Sequence, residues 1–364
     1  MSKNLRRQIG QLVMLGFPDL SISTDLRLVA KEYDLGGIIL FGRNIEEPEQ
    51  VAELSHDAQA LSKESPLWVS VDQEGGAVAR LREPFTIWPS MRRLGDSGDL
   101  DLARQFGQAL ARELMAVGVT LNYAPVLDVH TNEDNPVIGD RAFSEKPEEV
   151  GRFGAAVVEA MQGEGVAACG KHFPGHGDTD VDSHFKLPVV DQSIERLRKV
   201  ELLPFQTAVN ADVAMIMTAH VLYPALDDER PATLSKNVIT EILRQQIDFR
   251  GIVATDDLTM KGITSEWSVA DAGVESIAAG CDLLLFCEPD IEEQVRMIEA
   301  LIHGVEKEII PLSRVEDALR RSNAVKARFL SGTKRWKPLP GAELRAILGC
   351  EEHLAVADEL RGRP

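Results

Sequence analysis

Eight short apolar runs recur along the chain, and each is followed by a polar or glycine-marked end and then by a stretch with helical periodicity. The runs are residues 12–17, 37–42, 67–72, 119–128, 166–171, 213–217, 252–256 and 282–286. Runs this short and this apolar are typical of parallel strands that are covered on both faces. Eight strands alternating with helices predict an α/β fold, a single (β/α)8 TIM-type barrel, with an open doubly wound sheet as the competing fold.

The helical stretches between the runs have recognisable ends. Leu102, Phe106, Leu110 and Leu114 recur every four residues, and Gly118 follows them as a stop signal. Residues 150–161 repeat this pattern and end at Gly163. The residues after about 290 are interpreted as closing helices and extra C-terminal helices. We therefore predict a catalytic barrel over residues 1–330 and a helical tail over residues 331–364 that packs on it.

Charge and cysteine content narrow the function classes. The chain has 39 Lys and Arg against 58 Asp and Glu, a net charge of −19, which argues against binding to nucleic acid or to an anionic membrane surface. Its 4 cysteines form no Cys-x-x-Cys pair and no disulfide framework. The apolar run near the start is too short and too interrupted for a signal peptide. We expect a cytoplasmic monomer without metal or cofactor.

Polar residues close several of the apolar runs. In a barrel of this kind the catalytic groups come from the carboxyl ends of the strands. A charge at a buried strand end is costly without a partner or a function. The residues selected by this rule are Asp72, Asp128, Lys171, His172, His220, Asp256 and Asp257.

Residues 171–184 hold the densest group of such side chains, with three histidines, three aspartates and a lysine. A solvated polar loop is the simplest interpretation. A metal site is a second, although the spacing matches no standard zinc pattern. A Schiff base at Lys171 is a third, and a protonated His172 beside it would lower the pKa of that amine. Acid/base catalysis by a histidine is the fourth.

The fourth interpretation rests on Asp182 and His184, which lie on the same side of an extended segment because they are two residues apart. Asp182 can then fix the tautomer of the imidazole, which leaves the other ring nitrogen free to exchange a proton. A nucleophile is offered by the pair Asp256 and Asp257, since adjacent strand residues point in opposite directions. One carboxylate can attack an anomeric carbon from the barrel mouth, and the other is expected to cap the following helix.

The segment 171–184 resembles the signature of the bacterial β-N-acetylglucosaminidases of glycoside hydrolase family 3. That signature is Lys-His-Phe/Ile-Pro-Gly-His-Gly, any four residues, then Asp-Ser/Thr-His, and this chain matches it throughout. Further segments similar to the family occur in order at residues 71–76, 122–129, 135–141, 217–221, 231–235 and 255–260. The resemblance spans roughly residues 10–330.

The resemblance implies a (β/α)8 barrel that removes terminal β-linked N-acetylglucosamine with retention of configuration. It implies Asp256 as the nucleophile and His184 as the acid/base, held by Asp182. It also implies that the sugar is bound by Asp72, Arg80, Arg141, Lys171 and His172. Asp128 and His220 are expected either to support these groups or to make ordinary buried hydrogen bonds.

By the same implication, the partner is a small carbohydrate: a cytoplasmic muropeptide, chitobiose or a simple N-acetylglucosaminide. A phosphorylase acting at the same site is the nearest alternative, because a histidine acid/base leaves room for an anionic phosphate. A non-catalytic sugar-binding barrel and an aldolase-like lyase using Lys171 also stay open at this point. The sequence does not decide between them.

Overall fold

The computed structural model describes residues 3–62, 65–332 and 336–362. The strands are Val13–Leu15 (β1), Gly37–Leu40 (β2), Trp68–Val71 (β3), Gln73–Gly75 (β4), Val78–Ala79 (β5), Leu121–Asn122 (β6), Ala167–Phe173 (β7), Met215–Thr218 (β8), Ile252–Asp257 (β9) and Leu283–Phe286 (β10). Eight of them close into a parallel barrel in the order β1-β2-β3-β6-β7-β8-β9-β10, while β4 and β5 form a separate two-stranded sheet. The predicted barrel is confirmed. Val13 lies opposite Leu284 in the closing pair, which excludes an open sheet.

Helices follow the barrel strands and surround them. They are Lys3–Gly10 (α1), Thr24–Tyr33 (α2), Pro48–Gln59 (α3), Met91–Ser97 (α4), Leu100–Ala116 (α5), Pro147–Gly163 (α6), Ile194–Lys199 (α7), Leu202–Asn210 (α8), Lys261–Thr264 (α9), Val269–Ala279 (α10), Ile291–Glu306 (α11), Leu312–Phe329 (α12), Gly341–Ile347 (α13) and Glu351–Gly362 (α14). A π-helical segment, Asn237–Gln246, takes the place of the helix between β8 and β9. In the described part of the chain, every helix is too short or too polar to cross a membrane.

Alternation along each strand divides the core into two layers. Met14 and Ile39 point into the barrel and pack with Trp68 from the neighbouring strand. Their chain neighbours, such as Val13 and Ile38, face the helices instead. Successive side chains of a strand point to opposite faces, so a run that is apolar at every position fills both layers.

One strand prediction differs from the structure in detail, while two predicted helix ends are confirmed. The run 119–128 forms a strand only at Leu121–Asn122, because Pro125 has no N–H with which to continue a regular ladder. Gly118 takes the positive φ of 77° expected after α5. α6 ends at the predicted Gly163, and the positive φ, 93°, belongs to Gly165 two residues later.

The last two helices lie against α3, α4 and α5. Glu113 of α5 accepts hydrogen bonds from the backbone N–H of Gly349 and lies 2.9 Å from His353 Nδ1. Residues 333–335 and 363–364 of the predicted tail lie outside the described residues. The division of the chain at residue 330 stays a prediction.

Candidate active site

A cavity of about 180 Å³ opens at the carboxyl ends of the barrel strands. It brings together the predicted residues Asp72, Arg80, Arg141, Lys171, His172, His184 and Asp256, and Asp257 also lines it. Larger cavities lie at the opposite end of the barrel. In this fold catalytic groups cluster at the carboxyl ends of the strands, so the smaller cavity at the barrel mouth is the candidate active site.

Asp256 is the second-to-last residue of β9, at the mouth of the barrel, and is half-buried. Burial by itself raises the pKa of its carboxyl group, but His172, His220, the backbone N–H of Asp257 and Lys171 together lower it below its ordinary value. The N–H of Asp257 donates to Asp256 Oδ1 at 2.8 Å. The carboxylate therefore stays ionised, as a nucleophile must.

Asp257 has a different environment, although it is the adjacent residue. Its Oδ1 accepts hydrogen bonds from the backbone N–H groups of Thr259 and Cys287, each at 3.1 Å, and its Oδ2 accepts from the Thr259 hydroxyl at 2.7 Å. Burial raises the pKa of this carboxyl group, and the charge of Asp256 adds to the effect. Asp257 joins the ends of β9 and β10. It caps a turn and not the following helix, whose N-cap is Met260.

Asp182 and His184 form the predicted pair on the loop after β7, but the expected extended segment is wrong: the backbone N–H groups of Phe185 and Lys186 donate to the Asp182 carbonyl, so the pair lies in a turn. Asp182 Oδ1 accepts from the backbone N–H of His184 at 2.8 Å and lies 2.7 Å from its Nδ1. Because a carboxylate only accepts, Nδ1 carries a proton, and Nε2 is the ring nitrogen that does not contact Asp182. The His184 side chain is 60% exposed, so its imidazole is reachable from solvent and from the cavity.

The same loop is tied down beside this pair. The backbone N–H of Gly262 donates to the carbonyl of Ser183 at 2.8 Å, and Ser183 Oγ lies 2.9 Å from Nε2 of His176. Nδ1 of the buried His176 lies 2.9 Å from the Thr179 hydroxyl. Burial first, and then the nearby His172, lower the pKa of His176 to about 4. His176 therefore acts as a neutral link between the start and the end of the loop.

Lys171 lies on the floor of the cavity between two carboxylates. Its Nζ is 2.7 Å from Asp72 Oδ1 and 2.6 Å from Glu74 Oε1. Burial lowers the pKa of the amine, but Asp72 and Glu74 more than offset this and raise it above its usual value. The expected lowering of that pKa by a neighbouring His172 is therefore wrong. A Schiff base requires a neutral amine, so this environment disfavours the aldolase-like interpretation.

Glu74 is the site residue that sequence reasoning left without a role. Its buried carboxylate forms a bidentate pair with Arg141, with both distances at 2.9 Å, in addition to its contact with Lys171. Burial raises the pKa of Glu74, but Lys171 and Arg141 outweigh it and hold the pKa at about 2. The available signal was its place in the segment 71–76, two residues after the strand-end Asp72.

Asp128 supports the opposite wall of the site. This fully buried carboxylate lies 2.7 Å from His172 Nδ1 and accepts from the backbone N–H groups of His172 and His176 at 3.1 and 2.6 Å. Burial raises its pKa, and His172 and His176 more than compensate, so it stays ionised. His220 Nε2 is 2.9 Å from the carbonyl oxygen of Asp257. Asp128 and His220 therefore contact residues that line the cavity without lining it themselves.

Arg80 is the least constrained cation at the mouth. Its Nη2 lies 3.7 Å from Asp72 Oδ2, and its guanidinium lies over the Phe41 ring, 5.6 Å from the centroid. Its Nε has no hydrogen-bond partner among the described residues. Arg80 therefore retains donors that can bind a ligand. Among all the residues that the structure describes, no group of three or more His, Cys, Asp or Glu side chains is arranged to hold a metal ion.

Comparison with known proteins gives concordant results. The family model described as the glycosyl hydrolase family 3 N terminal domain matches residues 4–325. A β-hexosaminidase of Idiomarina loihiensis is 39% identical over 307 residues, which cover 83% of this chain and 91% of that protein. A β-hexosaminidase of Pseudomonas aeruginosa is 38% identical over 276 residues, or 76% of this chain and 82% of that protein.

Solved structures give the same result. A family 3 β-N-acetylglucosaminidase from Paenibacillus sp. FPU-7 superposes with a TM-score of 0.92 at 40% identity, over 98% of this chain and 68% of that one. NagZ from Neisseria gonorrhoeae, solved with N-trifluoroacetyl-D-glucosamine, superposes with a TM-score of 0.78 at 31% identity, over 96% and 97% of the two chains. The resemblance inferred from the motifs is confirmed.

Proposed function

This chain belongs to glycosyl hydrolase family 3, and from that premise we propose that it is a retaining exo-β-N-acetylglucosaminidase. The predicted enzyme class, a glycoside hydrolase of the β-N-acetylhexosaminidase type, is confirmed by the family and by its β-hexosaminidase relatives. One observation carries the finer proposal. An ionised Asp256 and an imidazole oriented by Asp182 line one cavity at the barrel mouth.

In the first step, a carboxylate oxygen of Asp256 bonds to the anomeric carbon while the glycosidic C–O bond breaks. Protonated His184 gives the Nε2 proton to the departing oxygen, and Asp182 stabilises the imidazolium. In the second step, a water gives a proton to Nε2 and attacks the same carbon, which releases Asp256. Two inversions give overall retention.

The remaining polar groups are proposed to bind the sugar. Lys171, Arg141 and Arg80 offer charged donors, and Asp72 and His172 offer further polar atoms, all lining one cavity. Hydrogen bonds that involve a charged partner are about twice as strong as neutral ones, which suits a ligand ringed by hydroxyls. Glu74 keeps Lys171 and Arg141 charged, and Asp128 holds His172 in place.

Trapping the covalent intermediate tests the nucleophile. A slow fluorinated N-acetylglucosaminide is expected to add one sugar to the protein, on the peptide that contains Asp256. NMR of the first product is expected to show the β-anomer. Release of the α-anomer, or a label on another residue, contradicts the mechanism.

His184→Ala tests the acid. We expect kcat/KM to fall about 100-fold for substrates with poor leaving groups but less than tenfold for nitrophenyl glycosides, which need little protonation. His56→Ala removes an exposed histidine of α3 and serves as the control. Equal losses with both classes of substrate contradict a role for His184 as general acid.

Phosphorolysis is the second candidate, and one observation favours it. The exchanging nitrogen belongs to an exposed imidazole and not to a second carboxylate, so an anionic phosphate is not repelled there. Reactions run in phosphate buffer separate the two functions. Hydrolysis gives only free N-acetylglucosamine, whereas a phosphorylase gives the sugar 1-phosphate.

For the natural substrate we propose muropeptides in the cytoplasm, in the recycling of peptidoglycan. The net charge of −19 repels their carboxylates at a distance, but salt screens this repulsion beyond about 8 Å, and Arg80 has donors available at the mouth. Comparing kcat/KM for muropeptide fragments with that for chitobiose tests the preference. Cell fractionation tests the compartment, and light scattering tests the proposed monomer.

A further inference from the structure

A second cavity, of about 780 Å³, lies at the amino ends of β9 and β10, on the opposite side of the barrel from Asp256. Its walls are the π-helical segment, the end of α10 and the start of α12. We refer to it as the basal cavity. None of the proposed catalytic or sugar-binding residues lines it.

The basal cavity carries positive charge in a strongly acidic protein. Five cations and two acids line it: Lys236, Arg244, Arg250, Arg314 and Arg321, against Asp248 and Asp317. The chain as a whole has a net charge of −19. A local excess of cations that opposes the overall charge creates a potential that attracts anions.

Part of this charge has a structural role. The fully buried Asp282 accepts hydrogen bonds from Arg244 and Arg314, and Arg321 Nη1 lies 3.5 Å from it. Arg314 Nη1 also lies 2.8 Å from Asp317. Arg320 and Arg321 also pair with Asp317, and Arg250 pairs with Asp248, so five guanidinium groups share three carboxylates. Burial lowers the pKa of Arg244, and the nearby Arg321 and Arg314 lower it further, while Asp282 opposes the shift. A lowered pKa is expected where cations are in excess.

Arg244 shows that this ion-pair cluster does not use all of its donors. The side chain is 10% exposed, and its Nη1 donates to the carbonyl groups of Phe249 and Gly251. Its Nε is buried and finds no hydrogen-bond partner among the residues that the structure describes. A buried donor without an acceptor is unfavourable, so an acceptor supplied by a ligand would be favourable.

The amino terminus of α12 meets the same cavity. This helix has 18 residues, its N-cap is Pro311, whose side chain cannot cap, and no acid occupies its first turn. Pro311 and Ser313 line the cavity beside Arg314. Free N–H groups and the positive end of a helix dipole bind anions, phosphate groups in particular.

We propose that the basal cavity binds a small molecule that carries two phosphoryl groups. Planar guanidinium groups match phosphoryl oxygens better than they match most other anions. The cavity is large enough for more than one such group. The exposed Lys236 and Arg250 are placed to hold one group, and Arg244 with the start of α12 to hold the other.

Titration calorimetry of the full chain with inorganic pyrophosphate at low salt tests this proposal. The test variant is Lys236→Gln/Arg250→Gln, which changes two exposed side chains and leaves the Asp282 cluster intact. The matched control is Arg104→Gln/Arg152→Gln, which removes two charges from α5 and α6, away from the cavity. Citrate serves as a multiply charged anion without phosphorus.

We expect one pyrophosphate per chain, bound also when N-acetylglucosamine occupies the barrel mouth. The test variant should raise Kd about tenfold, which corresponds to about 1.4 kcal/mol, and the control should change Kd less than twofold. Pyrophosphate should also raise the Tm of the wild type. Absence of binding, equal Kd values for the two double variants, or citrate binding as tightly as pyrophosphate would each overturn the proposal.

Discussion

Two buried lysines lie at opposite ends of the barrel, and their pKa values move in opposite directions. Lys171 at the mouth is 3% exposed, and Lys326 of α12 at the base is 2% exposed. Asp72 and Glu74 contact the first and raise its pKa, in spite of burial. The second donates to the Gln11 side chain, and burial lowers its pKa to about 7, against a weaker opposing effect of Asp34.

The difference shows that burial does not decide the charge of a group in this protein; the partners within contact distance do. At the mouth each cation has a buried carboxylate beside it, so charges are kept where a polar ligand is to be bound. At the base a neutral amide is the contact partner of Lys326, and the lysine can lose its proton near neutral pH. We therefore expect changes at the mouth to affect catalysis and changes at the base to affect stability.

Asp256→Asn should give the largest effect. Turnover should fall about 10⁴-fold, as is typical when a nucleophile is removed, while the Tm changes little because the side chain is half-buried. Rates with a chromogenic N-acetylglucosaminide measure this loss. Asp257→Asn is the matched control and should lose far less turnover, since an amide oxygen can still accept from Cys287 and Thr259. Similar losses for the two variants would show that the two aspartates are not divided in role.

Glu74→Gln should lower the pKa of Lys171, which makes this lysine more like Lys326. This substitution removes the negative charge that offsets the burial of Lys171 and Arg141. Breaking a buried ion pair costs about 3–5 kcal/mol of folding stability. Urea unfolding should show the loss of stability, and KM should rise as the sugar-binding cations move. Glu145→Gln, which affects a partly exposed pair with Arg92, is the control. An unchanged free energy of unfolding in Glu74→Gln would contradict the role of Glu74 in stabilising the charges of Lys171 and Arg141.

Lys326→Met tests how burial affects the lysine at the bottom of the barrel. The folded state holds the lysine proton less tightly than the unfolded state does, so this group costs stability as pH falls from about 10 to about 7. The variant should remove this cost, which amounts to at most about 5 kcal/mol. Unfolding free energies at several pH values measure it, with the exposed Lys307→Met as control. A pH-independent difference between variant and wild type would refute this account of Lys326.

His176→Gln should give the smallest effect. The pKa of His176 lies at about 4 in the folded state and at 6.5 when unperturbed, so the unfolded state takes up the proton first. Stability is therefore lost as pH falls from about 6.5 to about 4, by at most about 3 kcal/mol. The variant should flatten this part of the stability curve, whereas the exposed His56→Gln should not. An identical pH dependence in His176→Gln and wild type excludes the histidine as its origin.

Much of the site was accessible from the sequence, because strand ends carry catalytic groups in this fold. Asp72, Lys171, His172 and Asp256 follow from that rule, and the cavity at the mouth contains all four. The contact between Asp182 and His184 was expected from the sequence, but a turn and not an extended segment brings the two side chains together. Their catalytic roles stay predictions until the variants are measured.

Glu74 and the basal cavity were not accessible in this way. The contact between Glu74 and Arg141 joins residues 67 positions apart, and no local pattern relates them. The cluster on Asp282 joins the π-helical segment, the start of β10 and α12. Such pairings depend on where the chain closes on itself, because a salt bridge needs atoms within 4 Å and not residues of any given spacing.

The sequence by itself determined the strand and helix alternation, the barrel and the list of polar residues at its mouth. Short, continuously apolar runs and polar strand ends are local properties, so the order of the residues shows them. Only the tertiary structure decided which of two adjacent aspartates has a lowered pKa and which of two buried lysines has a raised one. Those outcomes depend on desolvation and on charges brought within a few ångströms by distant parts of the chain.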